Sequence, residues 1–441
     1  MDSQMTRALT ADNPWLAGEA QSQALSPWLS RFLPKGYRPR QLELNAAMLE
    51  QTARATLVVG PRQAGKSTLI WKTLADAGGP VVYLNCEDPS IRQGLVSPAT
   101  FLADLDTIDP AKHPLFFEEV QALDEAGLFL KGLVDRRCGR PIVATGSSAF
   151  DLESKTRESL AGRAQRHLLL PFSVREQGLH LRSRGAIRQQ QLRDIVTTSA
   201  VWGGYPRVVA SKAPEQELAE LVEAFIVRDV SDRFRIRRTA AFRKILQLAA
   251  SQIGNLVNFS EWAALAGISN DTVLEHCQLL ENAHIIRLVR PFVGGKRAEI
   301  TSAPKIFFID NGVRNQIYGG FHAITDRADR GALFENLVFS ELRKTLNPLL
   351  DSIRYWRSKS GAEVDFVVEH QGRILALEVK AGDVRGKLSR AARSFIDAYR
   401  PEVFAVVNRE TYSPQALDST QVVFWPFEEL TDRLETWLAT G

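Results

Sequence analysis

Gly60-Pro61-Arg62-Gln63-Ala64-Gly65-Lys66-Ser67 is a complete G-x-x-x-x-G-K-S sequence, and no other segment restricts the fold of this chain as strongly. An apolar run, Leu57-Val58-Val59, leads into it, and a stretch with helical spacing beginning Ser67-Thr68-Leu69 leads out. Strand, glycine-bearing turn and helix in that order make a phosphate-binding loop. The glycines allow the turn, successive backbone N–H groups and the helix N-terminus face the phosphates, and Lys66 adds a point charge. Residues 60–68, from Gly60 through Lys66 to Ser67 and Thr68, are the expected nucleotide contacts, with the Ser67 hydroxyl directed at Mg²⁺ and ATP as the ligand.

A loop of this kind needs a sheet behind it. Short apolar runs recur at Leu57, at Val81 (VVYLN), at Pro114 (PLFF), at Pro141 (PIVAT) and at His167 (HLLL), separated by helical stretches. Continuous apolar runs are what strands buried on both faces require, and strands alternating with helices predict a parallel sheet covered on both sides. The third run ends in Glu118-Glu119. In a nucleotide hydrolase such a strand usually ends Asp-Glu, the first carboxylate serving the metal and the second the attacking water. Here Glu118 takes the magnesium position with one extra methylene, and Glu119 is the candidate base. After PIVAT, Ser147 is placed to sense the γ-phosphate. Arg163, in Ala-Gly-Arg, is placed to bring positive charge to that phosphate in its own or a neighbouring subunit.

Beyond the sheet, residues 181–241 read as a helical connector broken at Gly203-Gly204-Tyr205-Pro206. From Phe242 three helical patterns follow, the last two joined by Ala-Gly-Ile-Ser at 266–269, and a β-rich IIRLV closes the series. A winged-helix module fits this order. Its third helix is capped by Ser269 and turns Val273, Leu279 and Leu280 inward. One function for it is to lie near a major groove while Arg287, Arg290, Lys296 and Arg297 contact backbone; the other is protein contact, which the acidic Asp271, Glu275 and Glu281 favour. After Lys305 come a helix from Gly331, strand-like IRYW, EVDFVVE and RILALEVK, a helix, and FAVVN: a further α/β unit.

That unit carries Asp365 and Glu378-Val379-Lys380 on consecutive strands. Period-two alternation puts Glu363, Asp365 and Val367 on one face of the first strand and Glu378 and Lys380 on one face of the next. Asp365, Glu378 and Lys380 are thus candidate nuclease residues, and Glu335 on the preceding helix joins Asp365 and Glu378 as a candidate second metal site. The competing expectation is a permanent carboxylate–lysine pairing with no chemistry.

GPRQAGKST, FFEEVQ, ATGSSAF, LAGRAQRHLLLPFSVRE and VWGGYPRVV, in this order, resemble a prokaryotic group of AAA-type ATPases with a C-terminal domain of unknown function, number 4143. The resemblance covers residues 36–408. It implies an α/β architecture: a P-loop AAA-type parallel sheet, then a winged-helix module and a PD-(D/E)xK-like, restriction-endonuclease-like domain. The expected divisions are a loosely held extension over 1–35, the ATPase domain over 36–180, the connector over 181–241, the winged helix over 242–305 and the endonuclease-like domain over 306–441.

With 44% hydrophobic and 24% charged residues the chain has globular composition, and its net charge of +4 permits but does not demand polyanion binding. No run approaches the ~18 apolar residues of a membrane span, and the N-terminus lacks a secretory pattern, so a cytoplasmic protein is expected. Three widely spaced cysteines suggest neither a disulfide framework nor a zinc site. The leading functional expectation is an ATP-dependent switch or motor acting on nucleic acid. The alternative is an ATP-regulated protein-interaction scaffold with a non-catalytic endonuclease-like domain. An unidentified protein partner and a homo-oligomer are compatible with both.

Overall fold

In the computed structural model, residues 3–17, 28, 31–44, 51–146, 160–226, 239–292, 303–382, 384 and 386–440 are described. The chain forms two compact units, Met1–Leu170 and Pro171–Gly441.

The first unit is built on five strands, β1 (Ala55–Val59), β2 (Val82–Asn85), β3 (Leu115–Glu118), β4 (Ile142–Gly146) and β5 (Ala164–Leu168). They form one parallel sheet in the order β2-β3-β4-β1-β5. Alternate side chains feed two separate apolar layers. Leu57, Leu84, Leu115, Phe117 and Ile142 enter one, while Val58, Tyr83, Phe116 and Val143 enter the other. Burial on both faces explains why these strands read as unbroken apolar runs. The fifth strand begins three residues before the expected HLLL, since Ala164 already pairs with Ala55. Leu169 and Leu170 are buried just past its end.

The N-terminal segment, expected to be loosely held, is packed wherever it is described. Met5 and Leu9 of the helix Ser3–Asp12 join the first apolar layer, and Trp15 and Trp28 join the second. Asn13 is fully buried. Its Nδ2 donates to Tyr83 O at 2.9 Å and its Oδ1 accepts from Tyr83 N at 2.7 Å. β2 is an edge strand, and Asn13 satisfies backbone groups that would otherwise lie open. A single Asn whose partner lies 70 residues away leaves no periodic trace in sequence.

In the second unit, the helices Thr239–Ser251, Phe259–Ala266 and Asn270–Asn282 precede β6 (Ile286–Val289) and β7 (Lys305–Phe308), an antiparallel pair. Ser269 caps the third helix by accepting from Thr272 N at 3.2 Å. Val273 and Leu280 are buried as expected, but Leu279 is only half-buried. β8 (Asp351–Arg357), β9 (Glu363–His370), β10 (Arg373–Val379), β11 (Val403–Asn408), β12 (Gln415–Leu417) and β13 (Thr420–Pro426) form a mixed sheet in the order β12-β13-β11-β10-β9-β8. β12 and β13 extend it beyond the strands expected.

The Gly203-Gly204 break has a packing cause. The Asp310 carboxylate is buried, accepting from Gly204 N at 2.7 Å and Val313 N at 3.1 Å. A Cβ on Gly204 would stand 2.2 Å from Phe172 O, an approach no side chain tolerates. Burial raises the Asp310 carboxyl above its ordinary range, and the two backbone donors oppose that shift. Part of the stretch expected as a connector, residues 199–205, therefore lies largely buried within this unit, and Asn311 Nδ2 also donates to Ala200 O at 3.0 Å.

Candidate functional site

β1 ends at Val59 and the chain turns at Gly60, whose φ is +153°. A Cβ at this position would lie 2.0 Å from Leu169 O, so only glycine lets the loop leave the sheet here. Gly65, at φ +96°, opens the helix Lys66–Ala77. Its N-terminus directs backbone N–H groups and the positive end of the helix dipole toward the loop. Lys66 is buried, and its Nζ donates to Pro61 O at 2.9 Å, so the ammonium lies folded over the loop. Ser67 and Thr68 stand half-buried in the first helical turn. Arg40, outside any recognisable motif, holds the loop from behind: Nη1 donates to Ala64 O at 2.9 Å and Nη2 to Leu170 O.

β4 lies between β1 and β3, and parallel pairing brings Glu118 and Glu119 to the same end of the sheet as the loop. Tyr83 donates its hydroxyl to Glu118 Oε2. Burial, and secondly the charge of Glu118, push the Tyr83 phenol above its usual range, so it remains a donor. The ring packs among Trp28, Phe32, Trp71 and Phe116. Glu119 adopts φ +52°, ψ +47°, an uncommon conformation for a residue with a side chain. Its N–H donates to Thr145 Oγ1 at 3.0 Å, and Gln121 Nε2 donates to its Oε2. Ser67 and Glu118 together offer a hydroxyl and a carboxylate, hard oxygen donors suited to Mg²⁺.

Two further residues were expected at this site. Ser147 lies outside the described residues; on β4 it is Thr145 that engages Glu119. Arg163 stands at the opposite end of the sheet, where its carbonyl accepts from Ala55 N at 2.8 Å, four residues before Val59 and thus about 13 Å along the strand. Its Nε faces Asp135 Oδ1 at 2.5 Å. Arg163 therefore does not reach the phosphate loop of its own subunit.

The acidic cluster of the second unit is organised by a residue absent from the sequence expectations. Lys305, at the start of β7, is 3% exposed; its Nζ sits 3.1 Å from Glu335 Oε1 and also pairs with Glu363 Oε1. Period-two alternation fails on β9. Arg354 pairs with Val367 but Trp356 pairs with Val364, so Asp365 and Phe366 together oppose Tyr355 in a bulge. Val364 and Val367 consequently face one apolar layer, while Phe366 packs on Phe307 and Phe339. Asp365 and Val367 do not share a face in the simple way alternation predicts.

Asp365 Oδ2 accepts from Val379 N at 2.7 Å. Glu378 is buried; it faces Lys380 Nζ at 2.8 Å and accepts from Ser389 Oγ at 2.9 Å. Burial raises both the Glu335 and Asp365 carboxyls, and in Glu335 the Asp365 charge adds to it. Lys305 is raised instead, because Glu335 and Glu363 outweigh its burial. The charges here are thus arranged in pairs: among the described residues no three His, Cys, Asp or Glu side chains gather as a ready metal-ligand set. The three cysteines are buried and unlinked.

Three family models match the chain. Residues 52–177 match an AAA domain, 193–323 a domain of unknown function, DUF8612, and 330–430 a domain of unknown function, DUF4143. The DUF8612 match runs across both the expected connector and the expected winged helix. An uncharacterized protein of Mycobacterium tuberculosis is 26% identical over 352 residues, covering 78% of this chain and 73% of its own. One from Methanocaldococcus jannaschii is 23% identical over 326 residues, covering 71% of each. Among solved structures, the Thermotoga maritima RuvB Holliday junction branch migration motor overlays with a TM-score of 0.29 at 18% identity, covering 55% of this chain and 87% of that one. AMPPCP-bound DnaA from Aquifex aeolicus gives 0.25 at 15% identity, covering 54% and 84%. No helix among the described residues is long and apolar enough to cross a membrane. The α/β chain thus joins a P-loop AAA domain to a C-terminal DUF4143 domain, the pairing that marks the AAA-type ATPases it resembles in sequence.

Proposed function

We propose that this chain is an ATP-hydrolysing switch or motor acting on nucleic acid. The observation that carries the reading is the placement of the phosphate loop and the Glu118-Glu119 pair at one end of a parallel sheet, with β4 between their strands. Backbone N–H groups of the loop and Lys66 would hold the β- and γ-phosphates. Ser67 and Glu118 would hold Mg²⁺, which supplies neutralising charge on those phosphates when bound. Glu119 takes a proton from the attacking water as its oxygen bonds to the γ-phosphorus; the bond from that phosphorus to the bridging oxygen breaks, leaving ADP and phosphate. Arg163 would serve only across an interface between two copies.

The nucleic-acid part of the reading is tested by DNA affinity measured across a salt series, with and without a non-hydrolysable ATP analogue. Phosphate contacts make log K fall linearly with log salt. Binding at low salt that changes with nucleotide state is expected; no binding in either state sinks this part and leaves the ATPase standing.

For the C-terminal domain, the lysine-paired carboxylates favour the second reading, an endonuclease-like fold serving as a scaffold. Lys305 and Lys380 supply the positive charge that a metal would otherwise provide. Calorimetric titration of Mn²⁺ into the wild type and the Asp365→Asn, Glu378→Gln double variant is expected to give equal, negligible heat in both at this site. Metal binding present in the wild type and lost in the variant would restore the nuclease assignment.

A further inference from the structure

We propose that Tyr83 is a positioning residue for the magnesium carboxylate Glu118, and that the N-terminal segment is the frame that holds Tyr83 against it. The proposal rests on the ATPase reading above and extends its site to Asn13, Trp28 and Phe32, which lie ahead of the phosphate loop and of both acidic residues.

A strand end that serves magnesium usually carries Asp. Glu118 has one more methylene and therefore one more rotatable bond, so its carboxylate needs a restraint that the shorter side chain does not. Tyr83 supplies it. Parallel pairing sets Tyr83 beside Phe116, both rings enter the same apolar layer, and period two puts Phe116 and Glu118 on one face of β3. Along that face the Tyr83 hydroxyl donates to Glu118 Oε2, engaging one carboxylate oxygen and leaving the other to a metal. Outer partners of this kind orient the ligands of a metal, and their removal costs about 10–100-fold in metal affinity.

A hydroxyl positions its partner only if its own ring is fixed. Tyr83 is 6% exposed. Asn13 binds both backbone polar groups of Tyr83 and is itself tied to the helix Ser3–Asp12, where its Nδ2 donates to Leu9 O at 2.8 Å. Rings from two sources pack on the phenol. Trp28 and Phe32 come from the N-terminal segment, with centroids 6.2 and 5.6 Å from that of Tyr83. Trp71 and Phe116 come from the helix Lys66–Ala77 and from β3, at 5.0 and 5.6 Å. Phe32 also stacks on Trp71 at 4.3 Å. The N-terminal segment thus touches both the helix that follows the phosphate loop and the tyrosine bonded to Glu118.

Tyr83→Phe removes the hydroxyl and keeps the ring and both Asn13 bonds, so it should fold. The test titrates Mg²⁺ into the full chain as wild type, Tyr83→Phe, Glu118→Gln and the double variant, each with a fluorescent ATP analogue, and measures analogue affinity in EDTA as well. In Tyr83→Phe the Mg²⁺ concentration at half-maximal binding should rise about 10-fold or more. Melting temperature and EDTA affinity should stay unchanged, whereas a purely structural role would move those two. In the Glu118→Gln background the same change should add nothing. Wild-type Mg²⁺ dependence in Tyr83→Phe, or an equal shift in both backgrounds, would overturn the positioning role while Glu118 keeps its assignment. A wild type without nucleotide binding, or wild-type Mg²⁺ dependence in Glu118→Gln, would overturn the reading of the site itself and the role of Tyr83 with it. Asn13→Ala tests the frame, with Phe32→Leu in its place if Asn13→Ala does not fold. A raised Mg²⁺ requirement that vanishes in the Tyr83→Phe background is expected, and a wild-type requirement would overturn the part given to the N-terminal segment.

Discussion

A Lys66→Ala protein should fold, keep its parallel sheet and lose ATP binding. The Lys66 ammonium is buried and bonded to Pro61 O, a carbonyl of the loop itself, so removing it withdraws charge from the phosphate site without touching β1 or β4. Truncating one partner of a buried, hydrogen-bonded charge pair costs about 2–5 kcal/mol. That corresponds to roughly 30- to 5,000-fold in affinity. A fluorescent ATP analogue titrated into wild type and variant, with circular dichroism as the fold control, reads the effect. Unchanged affinity in a folded variant would remove residues 60–68 as the nucleotide site.

The loop was legible because its chemistry is local: eight consecutive residues, a strand before and a helix after. The five strands were legible for a related reason, since burial on both faces leaves continuous apolar runs such as Leu115-Phe116-Phe117. The groups that position the site were not. Arg40, Tyr83 and Thr145 each act through one hydrogen bond or two to a residue far along the chain, and an isolated Arg, Tyr or Thr has no distinguishing spacing. Lys305 is the clearest case, because it read as the end of a module, yet its ammonium is the counter-charge for Glu335 and Glu363. Asp365 illustrates the opposite failure: its period-two placement was a sound local rule, overridden by one extra residue in β9 opposite Tyr355.

Replacing Glu119 with Gln should leave ATP bound and unhydrolysed. Glu119 is the stronger candidate for the base because its neighbour is committed: Glu118 Oε2 already accepts from Tyr83, as suits a carboxylate held still beside a metal. The Glu119 backbone is fixed by Thr145 in a conformation that costs of order 1–3 kcal/mol, a strain that persists only where the surroundings enforce it. Gln keeps the length of the side chain, and its amide oxygen still accepts from Gln121, so the geometry should survive while proton acceptance is lost. General-base catalysis contributes about 10²–10⁴-fold, and kcat should fall by that factor with ATP affinity preserved. Rapid quenching followed by separation of the bound nucleotide distinguishes the outcomes: ATP recovered from the variant and ADP from the wild type is expected. Normal turnover would move the base elsewhere. Glu118→Gln then provides the contrast, because losing a metal carboxylate should raise the Mg²⁺ needed for tight nucleotide binding, whereas Glu119→Gln should not.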